Sequence, residues 1–213
     1  MFPINNIEGI EKQEQKIEGN HVVALLLIKP SDNNADEIIS NFNYYHHLSE
    51  KYCSIYLLGY SPNFCEKYPD VVKITGVNKQ EWEYSDKCFI EACNELRKRL
   101  KHWKYSGEPE LIILQNSSAT NPRYYLNFAN YVYIDINYGI SKKYIDSFPR
   151  FMERFTEACK SEVSALKVIS KEERKRIKPR RIIEVTLEHI PKLPKPIVFI
   201  LNDHLFLKTY KGK

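Results

Sequence analysis

The residues with the greatest chemical capacity in this chain are cations. Within residues 171–181, Lys171, Arg174, Lys175 and Lys178 stand at i, i+3, i+4 and i+7, so a helix would line them along one face, and Arg180 and Arg181 follow Pro179. A strip of this kind neutralises successive phosphates of a nucleic acid or meets an acidic protein surface. Glu172 and Glu173 stand four and three residues before Arg176, the spacing of an ordinary solvated helix face, so the pattern leaves both readings open. A second run, 97–105, interleaves bases and aromatics. Here Arg97, Lys101 and Lys104 surround Trp103 and precede Tyr105, an arrangement that would join phosphate neutralisation to a stacking platform. Trp103 also continues an apolar stripe, which points it toward packing.

Nucleophilic and metal chemistry find less to work with. The histidines are His21, His46, His47, His102, His189 and His204, and none shares a local nucleophile signature with a Cys or Ser. Cys88 and Cys93 sit five residues apart, about 140° around a helix of ~3.6 residues per turn, and so cannot reach one tetrahedral centre. Cys53 and Cys93 fall in apolar periodicity, whereas Cys65 lies in a Pro-flanked loop and reads as exposed. The expectation is no metal and no cofactor. Glycine supports this: the chain has 7, and no two lie closer than ten residues. Every glycine-rich phosphate cradle needs two within about six positions, because backbone must approach phosphate without a Cβ.

A third candidate site is the rim where strands end. In open α/β sheets, sites form at the carboxyl ends of parallel strands. Lys29 and Asp32 follow a strand expected at 22–28, Tyr60 follows one at 53–58, and His46 would face them from the intervening helix. An enzyme acting on a nucleotide or other phosphorylated small molecule would use this rim. Glu108 or Asp135 would join it under some strand registers.

The elements that must position these groups are legible from periodicity. Residues 1–20 are polar, with isolated Ile4, Ile7 and Ile10 allowing an amphipathic turn or two, and are read as an N-terminal extension. The run 22–28 predicts a fully buried strand ended by Pro30. Asn34 with Glu37 three residues later predicts a capped helix running to about residue 50. Strands are expected at 53–58 and, briefly, 71–75. Ser85 or Asp86 caps a helix whose stripe is Phe89, Cys93, Leu96, Leu100 and Trp103, with Gly107 as the residue closing it and Pro109 preventing continuation. Buried and alternating strands follow at 111–114 and 131–137. A helix from Ser147 carries Phe148, Phe151, Met152, Phe155 and Cys159 on one side and extends toward Pro179; two β-rich stretches, 182–190 and 197–207, close the chain.

This order predicts an α/β fold with three layers and a mixed sheet, organised as an extension (1–20), a core domain (21–160) and a basic helix with a β-rich C-terminal extension (161–213). Over 22–159 the sequence of elements, strand-helix-strand-helix-strand-strand-helix, with Pro109 just before the third strand, resembles the thioredoxin-like arrangement. The resemblance is one of topology. The Cys-x-x-Cys of its redox members is absent, the corresponding segment being Lys29-Pro30-Ser31-Asp32-Asn33-Asn34.

Charge divides the 213 residues unevenly. Residues 1–159 carry 18 Lys and Arg against 21 Asp and Glu, a net of −3, and residues 160–213 carry 14 against 6, a net of +8. The longest apolar run is seven residues, far below the roughly 18 that span a bilayer, and mean hydropathy is −0.48. The N-terminus lacks a basic region followed by an apolar one, and five irregularly spaced cysteines argue for a reducing compartment, so a cytoplasmic protein without membrane contact is expected. Asn, Lys, Ile and Tyr make up 77 of the 213 residues, as A/T-rich codons produce. The reading that follows is a binding or scaffold subunit of a bacterial multi-protein system, such as one for antiviral defence. It would use the basic section to bind nucleic acid or an acidic protein, with hetero-oligomer formation as a consequence.

Overall fold

A computed structural model describes residues 2–17, 22–49, 52–64, 67–75, 81–116, 126–143 and 145–164. The elements run β1 (Phe2–Ile4), α1 (Ile7–Glu14), β2 (Val22–Leu27), α2 (Ala35–Ser40), α3 (Phe42–Ser49), β3 (Cys53–Leu58), β4 (Tyr60–Ser61), β5 (Val72–Thr75), β6 (Glu81–Tyr84), α4 (Asp86–Arg99), β7 (Glu110–Asn116), β8 (Leu126–Asp135), α5 (Ile136–Ser141) and α6 (Phe148–Ser164). Five strands form a mixed sheet in the order β1-β3-β2-β7-β8. β1, β3 and β2 are mutually parallel, and β7 and β8 are antiparallel to their neighbours. A second, antiparallel sheet has the order β4-β6-β5.

β2 and β3 are buried at every position, as strands covered on both faces must be. α1 packs on α4, and α3 packs on α6. The connection from β1 to β2 crosses the sheet in one direction and that from β2 to β3 returns in the other, so right-handed crossovers place their helices on opposite faces. Phe148, Phe151, Met152, Phe155 and Cys159 of α6 are all buried, with the Phe148 ring edge-on to Tyr45 of α3. No helix among the described residues is long and apolar enough to cross a membrane.

The structure differs from the sequence reading at several points. Phe2–Ile4 join the sheet as β1, paired to β3, and the helical turns at Ile7–Glu14 are docked with Ile7 and Ile10 fully buried. The helix expected from Asn34 breaks into α2 and α3, because Ser40 and Asn41 turn their side chains back onto carbonyls of residues 36 and 37 in competition with the helical ladder. Asn34 itself adopts φ 66° and makes no side-chain cap. α4 begins at the expected cap, Ser85 accepting from the Cys88 N–H, but stops at Arg99. Leu100 turns extended and His102 takes φ 66°, leaving Gly107 in the loop beyond instead of closing the helix. The cause lies in the tertiary structure: the Lys101 carbonyl accepts from the Tyr131 hydroxyl at 2.6 Å, and the Trp103 indole is drawn inward. The stretches 165–181, 182–190 and 197–207 lie outside the described residues.

Candidate functional site

β7 runs antiparallel to β2, so its first residues and the last of β8 lie at the carboxyl end of β2 and β3. This direction selects the register in which Glu108 approaches the rim. Lys29, Asp32 and Tyr60 converge there. The Asp32 carboxylate accepts from the Lys29 backbone N–H at 2.6 Å, and the buried Tyr60 hydroxyl donates to the Ile28 carbonyl at 3.2 Å. The Lys29 ammonium stands 3.1 Å from Asp86 and 5.5 Å from the centre of the Phe89 ring. Tyr84 donates to Asp86 at 2.9 Å and packs its ring 4.9 Å from that of Tyr60.

Electrostatics at this rim run against an anionic ligand. Burial pushes the Asp32 carboxyl above its ordinary range, and the Glu108 and Asp86 carboxylates push it the same way, against the opposing pull of the Lys29 N–H and ammonium. Tyr60 and Tyr105 are raised by burial first, then by the field of Asp32. Among the described residues, the Lys29 ammonium, already paired with Asp86, acts on Asp32 against the carboxylates of Glu108 and Asp86. His46 is not part of the cluster: it lies on α3 with its ring 5.1 Å from Phe2 of the edge strand β1 and 5.8 Å from that of His47.

The thiols among the described residues are withdrawn from solvent. Cys53, Cys88, Cys93 and Cys159 are all buried, and burial raises Cys88 to about 11 and Cys93 to about 12, far from the thiolate form at neutral pH. The Ser85 hydroxyl donates to the Asp70 carboxylate at 2.8 Å while capping α4, and the Lys87 N–H and that same hydroxyl hold Asp70 below its ordinary range, which leaves it a weak base toward Ser85. Cys65 lies outside the described residues. Among those described, no group of three or more His, Cys, Asp or Glu is placed to hold a metal ion.

The second expected run has a different outcome. Arg97 and Lys98 leave the last turn of α4, and Lys101 and Lys104 the loop after it, all four exposed. Trp103 is buried, donating its indole N–H to Glu110 at 3.1 Å, and Tyr105 packs its ring 5.2 Å from Phe89. Both aromatics of the run are therefore engaged in packing, and neither serves as a stacking platform. Arg99, amid the exposed bases, is consumed internally by Glu11 and Glu95, each at 2.6 Å. Spacing gives no signal for Lys98; Tyr84 reaches the rim from β6 and Asp86 from the start of α4, contacts that no local pattern announces, whereas Glu108 arrives through the strand direction on which its place depends. Lys171, Arg174, Lys175, Lys178, Arg180 and Arg181 lie outside the described residues.

Comparison with protein-family models, curated proteins and solved structures finds no match to this chain.

Proposed function

We propose that this chain is a non-enzymatic binding or scaffold subunit, in which an α/β body carries a basic C-terminal section that docks a polyanion, either nucleic acid or an acidic protein. The observation that carries this reading is the charge partition, −3 over residues 1–159 and +8 over 160–213. The rim supports it by contrast, since Lys29 is already paired with Asp86 and the surrounding carboxylates would repel a phosphorylated substrate. An enzymatic reading at that rim therefore gains nothing from its charge.

In this proposal the body is a thioredoxin-like scaffold without a redox centre. Support comes from the succession β2, α2 with α3, β3, α4, the antiparallel pair β7 and β8, then α6, in which β2 and β3 are parallel. The β4-β6-β5 sheet is an insertion between β3 and α4. At the position of the redox motif, the Lys29-to-Asn34 segment forms a turn closed by Asp32.

The test is charge reversal in the full chain. Replacing Lys171, Arg174, Lys175, Lys178, Arg180 and Arg181 with Glu is expected to abolish mobility shifts of DNA or RNA, or capture of an acidic partner. The wild-type affinity for nucleic acid should fall with salt at a log–log slope of roughly −0.7 to −0.9 per phosphate contacted. Binding that survives the reversal, or that ignores salt, would remove the proposal.

A further inference from the structure

We infer that the end of α4 and the loop after it form a second contact, made to the phosphodiester backbone of a nucleic acid; this rests on the polyanion reading above. Among the described residues, Arg97, Lys98, Lys101 and Lys104 form no ion pair, although carboxylates reach Arg99 between them. The helix dipole accounts for bases at positions 97 and 98, inside the last turn. It does not account for Lys101 and Lys104, which follow the point where Leu100 takes the chain out of the helix.

These cations stand on a fixed platform. Below them Trp103 is buried and bonded to Glu110, the Ser106 N–H donates to the same carboxylate at 2.8 Å, and the Lys101 carbonyl is held by Tyr131 at 2.6 Å. Ordering the loop has been completed in folding, so a partner does not bear that cost.

The residue types select the partner. Protein interfaces are enriched in aromatics, Met and Arg and depleted in Lys, whereas this patch is three Lys to one Arg, with its two aromatics directed into packing. Lys ammonium groups are point charges suited to tracking phosphates without demanding paired geometry. With neither Trp103 nor Tyr105 presented for stacking, the contact reads backbone and not bases, so binding through it is insensitive to sequence.

The experiment compares three full-length proteins: wild type, a variant with Arg97, Lys98, Lys101 and Lys104 each replaced by Gln, and one with Lys171, Arg174, Lys175 and Lys178 each replaced by Gln. Fluorescence anisotropy with short labelled DNA and RNA of two unrelated sequences is read across a salt series, with polyglutamate as competitor. Neutralising the α4 set is expected to make the salt slope shallower by about 3, at roughly 0.7 to 0.9 per lost phosphate contact, equally for both sequences. Circular dichroism melting of that variant should match wild type, since the four side chains support nothing beneath them. An unchanged slope in the α4 variant, with a reduced one in the C-terminal variant, overturns this inference and leaves the general reading standing. A wild type that binds neither nucleic acid overturns this inference and leaves the general reading only in its acidic-protein form; one that binds neither nucleic acid nor polyglutamate overturns both. Polyglutamate binding that depends on the α4 set overturns the assignment to phosphodiester.

Discussion

Replacing Gly59 with alanine is expected to destabilise the fold by about 2–6 kcal/mol, combining left-handed backbone strain of ~1–3 with overpacking of ~1–3 kcal/mol. Gly59 holds φ +83°, and a Cβ there would stand 2.8 Å from the Phe89 Cβ and 3.1 Å from its Cα. The second contact is backbone, so the clash cannot be relieved by turning a side chain. Its position magnifies the effect. The Gly59 N–H donates to Ile4 of β1 and its carbonyl accepts from Ser85, the cap of α4, both at 3.1 Å, so one residue ties the edge strand and the start of α4 to β3. Against a typical total of about 5–15 kcal/mol, this loss would leave a large unfolded fraction. Gly107 supplies the control: it also has positive φ, +95°, but an added Cβ meets nothing within 4 Å. Gly107→Ala should cost only the strain, about 1–2 kcal/mol. Urea denaturation of the two variants separates the effects, and equal midpoints would show that the packing of Phe89 against Gly59 is not what constrains the site.

What sequence pattern revealed of this fold is what depends on local periodicity. The run 22–27 could only be buried on both faces, the α6 stripe lands on buried positions throughout, and Ser85 caps the helix it precedes. The parts that pattern missed are decided by distant partners. β1 has three residues, too few to show alternation, and becomes a strand because β3 offers an edge. Trp103 satisfied the helical stripe, yet it is buried from a loop, since Glu110 and Tyr131 provide better partners for that segment than another helical turn. Likewise Lys29, Asp32 and Tyr60 are close because they end adjacent parallel strands, which spacing anticipates. The carboxylates that set the rim's charge arrive on α4 and at the start of an antiparallel strand, and strand direction is not written in any local motif. His46 shows the converse, a polar residue on the right helix whose neighbour is Phe2 of the edge strand.

Glu110 makes that dependence on distant partners measurable. Fully buried, it accepts from Trp103 through Oε2 and from the Ser106 N–H through Oε1, so a single carboxylate anchors both ends of the turn beneath Lys101 and Lys104. Glu110→Ala is expected to cost about 1–3 kcal/mol, the desolvation of the buried Trp103 indole N–H left without an acceptor, while the N–H of the exposed Ser106 can turn to water. Glu110→Gln should fall between, because an amide accepts through one oxygen and presents its own donors to the second partner. The pH dependence carries a definite sign. Burial raises the Glu110 carboxyl, with Asp135 adding to the rise and the bonds from Ser106 and Trp103 opposing it. A folded state with the higher pKa binds the proton more tightly, so this group's stabilisation is fully present below the unfolded carboxyl range and is lost as pH rises through the raised folded value. Wild type should therefore lose stability relative to Glu110→Gln as pH increases from about 4.5 toward neutrality, a trend that denaturation at several pH values reads directly. Parallel pH profiles for the two proteins would place the Glu110 proton outside the folding equilibrium.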